Sequence, residues 1–204
     1  MMSSTFIIIA ISIVTVLSGV VAVYTLLLKR RRGKTCNGKR VDATSSILRK
    51  YIDNFVMVPA FRAYSKKEAI EKLVEIAHTR FPENISNVEH AKASVFAREE
   101  SMPTGLDNGI AVPHGRTDGV NRIMVVLALV DNSENENGII PDYETIDHSK
   151  IQILGLTLIP DSINTPYLQL IAALIRTLQD DENREQLLSC KTSNEMKKLI
   201  CSMQ

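Results

Sequence analysis

Charge is missing from the first 28 residues of a chain in which 23% of side chains are charged. No basic residue precedes the apolar run Phe6–Leu28. A cleaved signal peptide needs one, ahead of a shorter core of about 7–15 residues, so that reading is set aside. Cysteine is scarce. Cys36, Cys190 and Cys201 are odd in number and show neither Cys-x-x-Cys nor Cys/His spacing. A disulfide framework and a zinc site both need such spacing, so reduced thiols are expected. No histidines and carboxylates fall at metal-ligand spacing either, which leaves metal hydrolysis without residues. No cofactor is implied. Internal repeats and low-complexity segments are also lacking. With 45% apolar residues, the composition is that of a folded protein rather than a disordered one.

What is present begins with the run itself. As a helix its 23 residues span about 34 Å at ~1.5 Å per residue, enough for a ~30 Å hydrocarbon core. Lys29, Arg30, Arg31, Arg32 and Lys34 follow it. Basic flanks stay on the cytoplasmic side. The expected order is therefore an extracytoplasmic N-terminus (1–5), a single transmembrane helix in the inner membrane (6–28), a basic linker (29–42) and a cytoplasmic domain (43–204). Seven of the 24 Lys/Arg residues lie in 29–40, which leaves 17 against 23 Asp/Glu from Val41 onward, a net charge of −6. Bulk charge thus argues against a nucleic-acid partner. The basic stretch reads as a topology signal that can also touch anionic lipid.

Within the domain, helical and strand patterns alternate. Thr44 or Ser45 opens a short helix through Ile52. Phe55–Val58 reads as a strand ended by Pro59. Ser65-x-x-Glu68 and Ser86-x-x-Glu89 have the spacing of capping boxes. The first opens a helix with Ile70, Leu73, Val74 and Ala77 on one face; the second opens one running to about Arg98. Arg122–Val130 and Ile151–Ile159 are apolar nearly throughout, as strands buried on both faces should be. The polar span 131–150 between them reads as a loop. Pro166 suits the first position of a helix, Asp180 or Asp181 starts another, and Thr192-x-x-Glu195 caps the last. The class is α/β, a mixed and roughly five-stranded sheet flanked by helices.

Three of the nine glycines and two of the seven prolines fall between Arg98 and Arg116. They surround a short strand, Ile110–Val112, and present His114 between Pro113 and Gly115. Pro113 fixes the backbone before the histidine, and Gly115 leaves space after it. Imidazole has a pKa near ~6.5, so much of it is neutral and nucleophilic in the cytoplasm. It can take up and release a phosphoryl group, provided positive charge and donors meet the transferring oxygens. Arg98 and Arg116 flank the stretch and Thr104 offers a hydroxyl. His78, His90 and His148 sit in ordinary helical or polar surroundings and read as structural or surface residues.

The string Arg98-Glu99-x-x-x-Pro103-Thr104-Gly105-Leu106-Asp107-Asn108-Gly109-Ile110-Ala111-Val112-Pro113-His114-Gly115-Arg116 resembles the signature of the type-2 EIIA domain of the bacterial phosphoenolpyruvate:sugar phosphotransferase system (PTS), of the fructose, mannitol and nitrogen-regulatory kind. The resemblance extends more weakly from about Thr44 to the C-terminus. It implies a phosphotransferase component in which His114 carries the phosphoryl group and Arg98, with Thr104, binds its oxygens. It implies an HPr-like phosphocarrier as donor. The acceptor it implies is an EIIB domain; the anchor would hold the site close to a membrane permease or sensor. Two positions depart from the pattern. Pro103 replaces the usual serine, and the family's second active-site histidine aligns with Tyr167. Tyr167 can donate a hydrogen bond to a phosphohistidine or pack the start of its helix, but it cannot become cationic. The alternative this leaves is a regulatory protein-binding module that no longer uses phosphate.

Overall fold

A computed structural model describes residues 46–163 and 166–203. The segments assigned above to an extracytoplasmic N-terminus, a membrane helix and a basic linker lie outside the described residues. Among the described residues, no helix is long and apolar enough to cross a membrane.

Five strands form the sheet: β1 (Phe55–Phe61), β2 (Ile110–Ala111), β3 (His114–Thr117), β4 (Met124–Val130) and β5 (Ile153–Pro160). Their order is β1-β4-β5-β2, with β3 also paired to β5. β1 runs parallel to β4, and β2 and β3 run parallel to β5; β4 and β5 are antiparallel. Every residue of β4 and β5 is buried, and successive side chains enter different cores. Val126 and Ala128 of β4, with Leu154, Leu156 and Leu158 of β5, face the first core. Val125, Leu127 and Leu129, with Ile153 and Ile159, face the second. Two packed faces are what make these strands read as unbroken apolar runs.

Helices α1 (Lys66–Arg80) and α2 (Val88–Ser101) cover the first face. Ile70, Leu73, Val74 and Ala77 of α1 are fully buried there, at the i, i+3, i+4, i+7 spacing seen in the sequence. Helices α3 (Pro166–Gln179), α4 (Asp181–Ser189) and α5 (Ser193–Ser202) cover the second, through Leu170, Ala173, Leu174, Leu187, Met196 and Ile200. Truncating one such fully buried leucine to alanine costs about 2–5 kcal/mol.

The helix starts follow the sequence with two corrections. Ser65 caps α1 by accepting from the Glu68 N–H, but the Glu68 carboxylate accepts from the Tyr64 N–H rather than from Ser65, so the reciprocal half of the expected box is absent. Thr192 and Glu195 form a reciprocal capping box, Asp180 caps α4, and Pro166 opens α3. At α2, however, the cap is Asn87, whose side chain accepts from the His90 N–H. Ser86 lies one residue too early, and its hydroxyl donates to the Gly119 carbonyl.

One strand reading is corrected and another extended. β1 continues through Pro59 to Phe61. It is an edge strand whose register shifts between Val58 and Phe61, and there a missing N–H is tolerated. His114 follows the short strand expected before it, β2, and also opens a strand of its own, β3.

Candidate functional site

The site is built from α2, the glycine-rich stretch, β3 and the start of α3. Arg98 lies in the last turn of α2. Residues 104–112 then form a short hairpin. The Leu106 N–H donates to the Ile110 carbonyl at 2.7 Å, and the Val112 N–H to the Thr104 carbonyl at 3.2 Å. The turn holds Asn108 (φ 64°) and Gly109 (φ 68°) in the left-handed region, which Asn-Gly adopts at least cost. The Gly109 carbonyl accepts from the Gln152 and Ile153 N–H groups, tying the hairpin to the start of β5.

Pro113 then sets the entry to β3, and the Thr157 N–H donates to its carbonyl at 2.9 Å. His114 is aligned with Thr157 across the β3–β5 pair. Gly115 must be glycine for a packing reason. A Cβ there would meet the Ser94 hydroxyl and would lie 2.8 Å from the Val95 backbone nitrogen, so α2 and β3 pack closer than any side chain permits.

His114 is half-buried, and both ring nitrogens are engaged. Nδ1 lies 3.0 Å from the Val112 carbonyl, an acceptor only, which places the ring proton on Nδ1. Nε2 accepts from Arg98 Nε at 3.2 Å and so carries the lone pair. Arg98 Nη1 donates to the Met102 carbonyl at 2.8 Å, and Nη2 lies 3.7 Å from Met102 Sδ. The His114 pKa is lowered. Burial is the main cause, the Arg98 charge adds to it, and the Val112 carbonyl opposes it. A neutral ring with a directed Nε2 lone pair is a nucleophile beside a cation. That arrangement suits phosphoryl transfer, where catalysis is mostly positioning and charge stabilisation.

The other expected residues are placed differently. Thr104 is buried, and its hydroxyl donates to Glu99 Oε2 at 2.5 Å while its N–H donates to Oε1 at 3.1 Å. Its side chain is thus engaged by Glu99. Tyr167 lies in the first turn of α3, with Arg116 Cζ 5.4 Å from its ring centroid. Arg116 Nη2 donates to the Asp161 carbonyl at 2.8 Å.

A buried polar cluster escaped the sequence reading. Glu99 is 4% exposed. Besides Thr104 it faces Lys66 Nζ at 3.9 Å, and Lys66 Nζ also lies over the Tyr143 ring at 5.3 Å. Burial, and then the Glu99 charge, push the Tyr143 hydroxyl pKa upward. The cluster fastens α1, α2, the hairpin and the 131–150 segment together behind Arg98. The only sequence signal for it was Glu99 standing next to Arg98.

A five-stranded mixed sheet between helices, with a neutral histidine against an arginine at its edge, defines an EIIA-type phosphotransfer or regulatory domain. The chain belongs to the EIIA 2 family of the phosphoenolpyruvate-dependent sugar phosphotransferase system, whose model matches residues 53–203. It is 27% identical over 139 residues to the fructose-specific EIIA component of Haloferax volcanii, covering 68% of this chain and 84% of that one. It is 31% identical over 135 residues to the 2-O-alpha-mannosyl-D-glycerate-specific EIIABC component of Escherichia coli K12, covering 66% of this chain but 20% of that longer protein. Its fold is that of the nitrogen regulatory protein IIA-Ntr from Neisseria meningitidis, with TM-score 0.63, 21% identity, and coverage of 74% of this chain and 99% of that one.

Proposed function

We propose that this chain is a membrane-anchored phosphohistidine carrier of the phosphotransferase system. The observation that carries the reading is the His114–Arg98 pair, with a protonated Nδ1 and an unprotonated Nε2 directed at a guanidinium. In the proposed step Nε2 attacks the phosphorus of a phosphohistidine on an HPr-like donor. The new N–P bond forms as the donor's N–P bond breaks, and the donor nitrogen recovers its electron pair. The Nδ1 proton stays on the phosphorylated ring, where the Val112 carbonyl supports the resulting positive charge. A protonated ring is the better leaving group, so the same contact favours onward transfer.

Two surroundings support protein partners. Met102 and Leu168 are among the few large apolar side chains exposed on the described residues, at 61% and 57%. Met102 caps the helix that bears Arg98 and lies against its guanidinium, and Leu168 follows Tyr167, whose ring meets Arg116. The −6 charge of the domain suits a basic carrier. An EIIB domain is the acceptor in a transport role, and the EIIABC relative supports that route. A membrane permease or sensor is the partner in a regulatory one. The apolar run 6–28 and the basic residues after it support anchoring at the inner membrane.

The test is ³²P transfer from phosphoenolpyruvate, Enzyme I and HPr to the full chain, with His114→Ala alongside. Label on wild type and none on His114→Ala is the expected result. Absent or equal label sinks the reading. One observation favours a second reading, a regulatory binding module that has given up phosphate: Tyr167 cannot supply the charge of a second histidine. Membrane-partner capture that is unchanged by His114→Ala, together with no labelling, would support that module.

A further inference from the structure

We propose that Arg116 is a second phosphoryl-binding cation for His114, and that Tyr167 positions it through its ring face rather than its hydroxyl. The inference rests on the phosphocarrier reading and adds two residues to its site.

Strand geometry carries the first half. Side chains alternate along β3. Gly115 faces α2, since a Cβ there would run into Ser94 and Val95. His114 and Arg116 therefore both project to the opposite face, the side covered by α3. The register agrees, because Arg116 pairs with Ile159, whose side chain lies in the core under α3. Two residues along a strand are roughly 6.5 Å apart, within reach of a long guanidinium side chain and a phosphoryl group hung on Nε2.

Arg98 approaches from elsewhere. It belongs to α2, on the other side of the sheet, and it reaches His114 past the edge at β3. Among the described residues β3 pairs with β5 alone. The two arginines thus flank the histidine from different elements. A phosphoryl group carries a charge of about −1.5 to −2 near neutral pH. Arg98 alone answers half to two-thirds of that, and a second guanidinium adds to it.

The second half concerns how Arg116 is held. Its Nη2 donates to the Asp161 carbonyl just beyond β5, and its guanidinium lies over the Tyr167 ring. Stacking of this kind uses the π face and leaves the phenol oxygen out of the contact. A stacked guanidinium supplies the positive charge that tyrosine itself lacks.

The experiment uses the full chain in detergent and two phosphoryl donors. Phosphoramidate phosphorylates an accessible histidine without any protein carrier and decides this inference. Phospho-HPr decides the carrier reading. Rates of His114 labelling by phosphoramidate are measured for Arg116→Gln, Arg116→Lys, Tyr167→Phe and Tyr167→Ala, with circular dichroism confirming each fold. Loss of a charge-assisted contact to the transferring group should slow Arg116→Gln by about 10- to 100-fold. Arg116→Lys should recover part of that loss. Tyr167→Phe should stay within about twofold of wild type, because the ring face is kept, and Tyr167→Ala should fall by about three- to tenfold. Wild-type rates in Arg116→Gln overturn the role of Arg116. Equal losses in Tyr167→Phe and Tyr167→Ala overturn the stacking role. No labelling of His114 by phosphoramidate overturns the whole inference. Labelling by phosphoramidate but not by phospho-HPr counts against the carrier reading alone.

Discussion

Arg98 Nε donates to His114 Nε2 across 3.2 Å, and with the Val112 carbonyl at Nδ1 this contact fixes which ring nitrogen carries the lone pair. The arginine is more than a neighbouring charge. In the proposed transfer it would orient the ring and meet the arriving phosphoryl oxygens. Arg98→Ala should reduce ³²P labelling from phospho-HPr by about 100-fold or more, as removal of one stabilising donor commonly does. Far-UV circular dichroism and the unfolding midpoint should hardly change, because the Arg98 side chain is outside both cores. Unchanged labelling kinetics would refute the role.

The lowered His114 pKa predicts a pH dependence of definite sign. Burial disfavours the imidazolium, so the ring stays neutral to a lower pH than the ordinary ~6.5. The labelling rate with phosphoramidate should be flat above neutrality and fall only below pH ~6.5. Stability follows the same direction. Above its unfolded pKa the group costs nothing, and as pH falls toward the folded value the unfolded state binds more protons and gains. Urea midpoints should therefore drop on acidification more in wild type than in His114→Asn. A ring that titrates above pH ~6.5 by NMR would contradict this.

Gly115→Ala tests the packing of α2 on β3. The added Cβ would sit 2.8 Å from the Val95 nitrogen, and a backbone atom cannot rotate away. The expected cost is about 1–3 kcal/mol, as for an overpacked core, seen as a lower midpoint in urea. Because the same helix carries Arg98, labelling should slow as well. Ser94→Gly in the same chain should relieve only part of the loss.

Thr104 separates two roles. If its hydroxyl serves Glu99, as the 2.5 Å contact shows, Thr104→Val leaves that buried carboxylate short of a donor and costs about 1–3 kcal/mol. Labelling of His114 should then persist at a comparable rate in the folded fraction. A loss of labelling with no change in stability would instead make Thr104 a phosphoryl ligand.

Leu168→Glu probes the exposed apolar side chain that follows Tyr167. A charge there should hinder docking of a protein donor, raising the HPr concentration needed for half-maximal labelling by about tenfold. Phosphoramidate labelling should be unaffected. Equal effects on both donors would place Leu168 in the chemistry rather than the docking.

Much of this molecule was legible because its signals are local. Buried strands read as apolar runs, and α1 showed its face at helical spacing. The Arg98–Arg116 string pointed to the candidate site, and Arg98 and His114 from near its two ends do meet. The misreadings come from choices settled at a distance. Ser86 and Asn87 can both cap a helix, and only the pull of the Gly119 carbonyl on Ser86 leaves the cap to Asn87. Pro59 stays in β1 because that strand has one neighbour. The polar segment 131–150 hides Ile139, Ile140 and Tyr143 in the first core, although its sequence is dominated by polar residues. The engagement of Thr104 by Glu99, and of Tyr167 by Arg116, join residues whose spacing carries no period.

Among the described residues β3 has a partner on one side only, and that border position bears on what kind of chemistry His114 can host. An enclosed catalytic pocket would have to open and close around each visiting protein. A histidine on the rim of a sheet, with α2 packed against its strand, could be met by one partner and then another while the fold stays still. In the proposed carrier role its cargo would sit at a landing stage, open to traffic from the side where the sheet ends.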